Sequence, residues 1–294
     1  MESVKTPFEQ KLFTSVRLSP MVINIRVLME AVSNDALNFR QLAAVLSQYP
    51  VISGRLLSLA NSAWVAPVSP ITTVESACSR LGTSVVKSVS IAIAVASSFN
   101  AASCPSFDME RFWTNSILVS EAAFLLASQL PQDQLVNFPK TAQTAGILHG
   151  LGLLWLAENL PNETSLALQR IEADGALSLN DALMDCTGTD YCQVGAWIGK
   201  QWKLPEVLVV VIQRHLDSSY REQDWKMAQI IGAALQMVTA ISAQRDLTLP
   251  NDVVLPINDA LLALNVDNAQ QGVIFHKLVG KYAQTRALAR ELFL

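Results

Sequence analysis

Residues 146–156 read Gly146-Ile147-Leu148-His149-Gly150-Leu151-Gly152-Leu153-Leu154-Trp155-Leu156. One imidazole stands in an apolar run, and the residue after it is a glycine, which has no side chain to offer a cation. The run lies inside a longer pattern whose spacing predicts a helix over 141–160. If Gly150 occupies ordinary helix there, Gly150→Ala should be neutral or slightly stabilising, because glycine costs about 1 kcal/mol relative to alanine inside a helix.

The same helical period continues outward in both directions. Asn38 reads as an N-cap with Gln41 three residues on, flanked by Leu37 and Leu42 as a hydrophobic staple. Leu42, Val45, Leu46 and Tyr49 then form one buried stripe, and beyond Pro50 a second follows at Ile52, Leu56, Leu59 and Ala60. Pro67 and Pro70 make the next break. Thr72 with Glu75 reads as a capping box, opening a short helix that stops at Gly82. From Val85 to Phe99 the chain is apolar nearly all round, as in a helix buried within a bundle.

Residues 101–108 mark the boundary between two helical halves. Beyond it the pattern predicts helices near 109–130, 141–160, 163–173, 178–186, 190–201 and 206–216, then near 224–244, 257–265 and 268–293. Strand-like alternation is scarce and no break recurs at a fixed period, which predicts an all-α protein. The expected segments are 1–103, 104–220 and a C-terminal helical extension over 221–294.

The composition narrows the function classes. Of 294 residues 51% are apolar and 16% charged, with a formal charge of −4 and basic residues scattered singly. A nucleic-acid partner would show clustered Lys and Arg; none is expected here. No segment reaches the roughly 20 consecutive apolar residues of a membrane helix, and the N-terminus lacks the apolar core of a signal peptide. Cys78, Cys104, Cys186 and Cys192 contain no C-x-x-C pair. They read as buried thiols of a reducing cytoplasm. Cys186 and Cys192, near Asp185, Asp190 and His215, miss the C-x₂₋₄-C spacing of structural zinc.

Several fragments, in order and spacing, resemble the HDOD family, a non-catalytic relative of the HD phosphohydrolase superfamily found in bacterial signalling proteins. They are Leu56-Leu57-Ser58-Leu59-Ala60-Asn61-Ser62, Ile71-Thr72-Thr73-Val74-Glu75-Ser76-Ala77 and Leu81-Gly82. The second half adds Trp113-Thr114-Asn115-Ser116, the run around His149, Val194-Gly195-Ala196, Trp202 and Leu204-Pro205. The resemblance covers residues 17–216. It implies an HD-like multi-helical bundle of two packed subdomains, here with added C-terminal helices.

In the HD superfamily a His-Asp pair helps hold a metal whose bound water does the hydrolysis. By the resemblance, that pair falls on His149 and Gly150, and the first metal-binding His falls on Asn115. The Lys that often follows falls on Leu153. A later His, after an acid, falls on Tyr191 beside Asp190, and a His-His pair falls on His215 and Leu216. With only three histidines in the chain (His149, His215 and the incidental His276), a multi-His dimetal cluster cannot be assembled.

The expected site is therefore a vestigial pocket of Asn115, His149, Gly150, Asp190, Tyr191 and His215. Its members should converge, with His149 hydrogen-bonded to Asn115 or Tyr191, and with no catalytic residue, metal or cofactor. His215 reads either as part of that pocket or as a cation at a helix C-terminus. Trp64, in the loop after Asn61 and Ser62, is a candidate partner contact. The sequence thus points to a cytoplasmic signalling module acting on a protein partner, with nothing fixing its oligomeric state. A metal-dependent phosphohydrolase with an atypical site, and a small-molecule sensor using the vestigial pocket, are the alternatives.

Overall fold

The computed structural model describes residues 25–33, 37–62, 69–130, 138–243 and 264–294, together with Val65, Pro67, Leu261 and Leu262. Among them the chain is helical, with no strand. After α1 (Ile25–Ser33), Asn38 caps α2 (Phe39–Leu46) through the expected box. Its Oδ1 accepts from the Arg40 and Gln41 N–H groups at 3.0 Å, and the Gln41 side chain accepts from the Asn38 N–H at 2.9 Å. Pro50 stands at the first position of α3 (Pro50–Asn61), where its missing N–H is no loss. Ile52, Leu56, Leu59 and Ala60 turn inward as their spacing requires.

The next helix, α4 (Val74–Leu81), departs from expectation by one residue. Thr73, not Thr72, is the N-cap: its backbone is extended and its Oγ1 accepts from the Ser76 N–H at 3.1 Å. Glu75 then sits at the second helical position and closes no capping box. Two adjacent threonines fit either register, and only the backbone chooses. Gly82 ends the helix with a φ of +82°, open to glycine and strained for other residues. The buried helix α5 (Thr83–Ala96) follows at once. It stops short of Phe99, where the Ser97 and Ser98 hydroxyls donate back to the Ile93 and Ala94 carbonyls.

Asp108 caps α6 (Met109–Ala127), along which α7 (Phe138–Leu148), α13 (Trp225–Ala243) and α14 (Asn268–Phe293) all pack. The expected 141–160 helix is two helices, α7 and α8 (Leu151–Asn159), broken at His149 and Gly150. Then come α9 (Pro161–Ala173), α10 (Leu179–Thr187), α11 (Tyr191–Gln201) and α12 (Glu206–Arg214). The helix expected over 257–265 lies largely outside the described residues.

The C-terminal helix is tied down along its length. Trp113 stacks on Phe293 with ring centroids 4.3 Å apart. Arg286 and Arg290 both reach the Glu110 carboxylate, and together hold it below the usual carboxylate range. Arg55 of α3 donates to the Leu292 carbonyl. Buried residues of the expected segments 1–103, 104–220 and 221–294 meet in one continuous core; Leu56, Trp155 and Leu278 belong to it together. Among the described residues no single helix is long and apolar enough to cross a membrane.

Candidate functional site

The break between α7 and α8 places His149 at the end of one helix, facing the end of another. His215 caps the C-terminus of α12, and the two imidazoles meet edge to face with centroids 5.6 Å apart. Tyr191, the first residue of α11, comes to the same place, its hydroxyl 3.1 Å from His215 Nε2. The Nδ1 of His149 lies 2.7 Å from the Gly146 carbonyl oxygen, and the Nδ1 of His215 lies 2.9 Å from that of Ile212. A carbonyl only accepts, so each Nδ1 carries the hydrogen of a neutral ring. In His215 the remaining lone pair, on Nε2, accepts from the Tyr191 hydroxyl.

Burial keeps both rings neutral. It lowers the pKa of His149, and it carries His215 from 6.5 to about 3, with the neighbouring His149 adding to the shift. His215 is therefore not the helix-end cation the sequence allowed, because no solvent remains to stabilise its charge. Burial also pushes the Tyr191 hydroxyl well above its ordinary value, so it stays a donor.

A histidine whose pKa falls on folding binds a proton only in the unfolded chain between the two values. Its contribution is fully present above pH 6.5 and is lost as pH falls toward 3. His215 alone should remove about 2 kcal/mol of stability between pH 7 and pH 5, each unit being worth about 1.36 kcal/mol. Urea unfolding at the two pH values checks this. In His215→Gln the drop should shrink by about that amount, and an unchanged drop would show that His215 titrates normally in the fold.

The residues here do not fit the metal of the HD superfamily. Among the described residues no three His, Cys, Asp or Glu side chains come together. Of the two Nε2 lone pairs, that of His215 is already taken by Tyr191, which leaves a single imidazole nitrogen, on His149, with no carboxylate beside it. Hard cations want oxygen ligands, yet the Asp190 carboxylate caps α11, accepting from the Gln193 N–H at 2.9 Å. Nor do the thiols serve. Burial pushes Cys192 up to about 12, so it stays protonated, and its sulfur accepts from Asn180. Cys78, Cys104 and Cys192 are buried as expected; Cys186 is only half-buried, beside Arg170.

Of the expected pocket, then, His149, Tyr191 and His215 are brought together. Asn115 hydrogen-bonds neither histidine; its Oδ1 accepts from Ser242 of α13 at 2.6 Å. The expectation for Gly150 also needs correcting. It is not mid-helix: with φ −89° and ψ 10° it is the N-cap of α8. A Cβ there would stand 2.8 Å from Cε2 of Phe112. Gly150→Ala must push that ring aside and should cost about 1–2 kcal/mol rather than stabilise; thermal or urea denaturation measures it.

The loop candidates divide. Asn61 is a clamp, its amide spanning Ile71 by a donated bond of 2.7 Å and an accepted bond of 2.8 Å. The Ser62 hydroxyl donates to the Leu59 carbonyl. Trp64 lies outside the described residues.

Sequence reasoning missed the residues that hold the site in register. A Cβ on Gly146 would meet the Ser120 backbone at 2.6 Å, one on Gly152 the Tyr191 carbonyl oxygen at 2.0 Å, and one on Gly232 the His215 carbonyl oxygen at 2.3 Å. Each glycine lets two backbones touch beside a residue of the site. Their sequence signal is that Gly146, Gly152 and Gly232 each lie inside a helix without ending it.

Comparison with known proteins supports this architecture. The family model described as the HDOD domain matches residues 18–218. The fold resembles that of an HDOD domain protein of unknown function from Geobacter sulfurreducens, with a TM-score of 0.73 and 19% identity over 98% of this chain and 97% of that one. A provisionally assigned phosphohydrolase from Shewanella amazonensis SB2B gives 0.68 and 26% over 97% of each chain. A provisionally assigned signal transduction protein from Marinobacter aquaeolei VT8 gives 0.79 and 20% over 99% of this chain, which spans 62% of that one. No curated protein matches the sequence.

Proposed function

This chain belongs to the HDOD domain family, and we propose that it is a non-catalytic regulatory module acting through a protein partner in a bacterial cytoplasm. One observation carries the reading. Where the related hydrolases need imidazole lone pairs and carboxylates for a cation, the Tyr191 hydroxyl occupies Nε2 of His215 at 3.1 Å. Nδ1 of both rings is spent on backbone carbonyls. Hydrolysis by the HD route needs a cation to activate water and neutralise developing charge. These side chains serve instead to hold α7, α11 and α12 together.

The name of the Shewanella relative favours a second reading, an HD-type phosphohydrolase with an atypical site. One experiment separates the two: elemental analysis of the purified protein, with a panel of phosphomonoesters and cyclic dinucleotides. The module should carry far less than one transition metal per chain and show no turnover above background. Losing one outer partner of a metal site typically costs 10–100-fold, and here several direct ligands are absent. About one metal per chain, with turnover that disappears in His149→Ala, would establish the enzyme instead.

A further inference from the structure

A cavity of about 350 Å³ lies between α1, α7 and the turn that leads from α11 into α12. Met29 of α1 and Leu208 of α12, both buried, form its floor. Lys203 and Pro205, both exposed, stand at its mouth, with the half-buried Thr144 between mouth and floor. Two further residues on its lining, Glu30 and Thr141, already have interaction partners. Lys203 and Thr144 differ from them. Neither side chain makes a hydrogen bond among the described residues, and the Lys203 ammonium makes no ion pair.

Lys203 is also held where a side chain is costly. It ends α11 with a φ of +53°, and this turn lets the Leu204 N–H donate to the Gly199 carbonyl at 2.9 Å. Glycine is the usual residue at such a helix end, because in the left-handed region a Cβ crowds the following carbonyl. A lysine would suit the place if it covered the last carbonyls of α11, but its ammonium bonds none of them. Residues held in this region cluster at ligand sites, and this one brings a cation to the mouth of a cavity.

We infer that the cavity binds a small organic carboxylate, its apolar body inward and its charge at the mouth. An engineered cavity of about 150 Å³ is enough to hold benzene, so this one has room for roughly twice as many carbons. Met29 is unbranched and adapts to the shape of what it meets. The Lys203 ammonium, a point charge on a flexible stem, meets a carboxylate without a fixed fork. The Thr144 hydroxyl is free to donate to it.

The position of the cavity gives such a ligand something to act on. Met29 comes from the first helical half, and Thr144, Lys203 and Leu208 from the second. Pockets at such junctions are common ligand sites, and a ligand held from both sides favours their packed arrangement. The same two helices carry the imidazoles: from Thr144, α7 runs to the break at His149, and from Leu208, α12 runs to His215. The cavity would thus serve as the input of the module, and the inference stands whether or not the histidine site is catalytic.

Calorimetric titration of the full chain with butanoate, hexanoate, octanoate and octanol tests it. Octanoate should bind saturably with a Kd on the order of 1 mM, ordinary for so few atoms. Along the carboxylate series each added CH₂ should tighten binding about fourfold. Octanol, which lacks the charge, should bind at least tenfold more weakly than octanoate. Lys203→Gly is the decisive variant. By relieving the left-handed turn it should raise the urea midpoint, while it weakens octanoate tenfold or more. A merely structural lysine would not trade stability against affinity in this way. Lys203→Met, which keeps the stem, should weaken octanoate equally, and Thr144→Val about fivefold without loss of stability. Octanoate that fails to saturate, or that binds both Lys203 variants as well as the parent chain, overturns the site. Octanol binding as tightly as octanoate overturns the charged end, and an affinity independent of chain length overturns the apolar body.

Discussion

A chain ended after Ser218, where the family match stops, will lose its cooperative fold. The cut removes α13 and α14, which lie along α6. On α14 alone the side chains of Ile274, Phe275, Leu278, Val279, Leu288 and Leu292 are each at most 6% exposed. At about 2 kcal/mol for each buried side chain, the loss approaches the whole 5–15 kcal/mol by which a typical domain is stable. The surface left behind is poor as well. Trp113, stacked on Phe293 in the full chain, would face water, and Glu110 would lose both arginines. The truncated chain should show helical far-ultraviolet dichroism, weak near-ultraviolet signal and dye binding, without a sharp urea transition. A sharp transition, with a slope reduced only in proportion to size, would mean that the matched region folds alone and that α14 is an accessory.

What the sequence made legible was local. Stripes such as Ile52, Leu56, Leu59 and Ala60, and caps such as Asn38 with Gln41, are written within one or two turns. They therefore place helices and their inward faces correctly. The family resemblance supplied the expectation of an HD-like helical bundle. The break at His149 and Gly150 was not legible, because an apolar run reads the same with or without a kink. Nor was the partner of Asn115, which is Ser242, 127 residues away. His149 was expected to bond Asn115 or Tyr191, yet it is His215 that takes the Tyr191 hydroxyl, and through Nδ1 both rings turn to the backbone. They bond carbonyls three residues back in their own helices, Gly146 and Ile212, as the ends of helices leave such carbonyls free. Least legible were the glycines. How closely two helices approach is a property of both together, and no period in either one records it.

Gly152→Ala should cost about 4 kcal/mol for one methyl group. The added carbon would stand 2.0 Å from the Tyr191 carbonyl oxygen and 2.5 Å from the Gly195 nitrogen. Both are backbone atoms, so no rotamer relieves the clash, and α8 must move off α11 by roughly 1 Å or more. Overpacking a core usually costs 1–3 kcal/mol. The larger figure is expected here because two rigid helices part and the contacts along both are loosened together. Because Tyr191 opens α11 beside the clash, the same shift draws its hydroxyl from His215 and leaves a buried acceptor without its donor. Gly54→Ala is the matched control: it sits inside α3 with nothing within 4 Å of the new carbon. There the same methyl should stabilise by about 0.5–1 kcal/mol, through helix propensity and a less free unfolded chain. Urea unfolding of the two variants should therefore shift in opposite directions. A Gly152→Ala cost below about 1 kcal/mol would mean that α8 and α11 do not touch backbone to backbone, and the placement of Tyr191 against His215 would lose its structural basis.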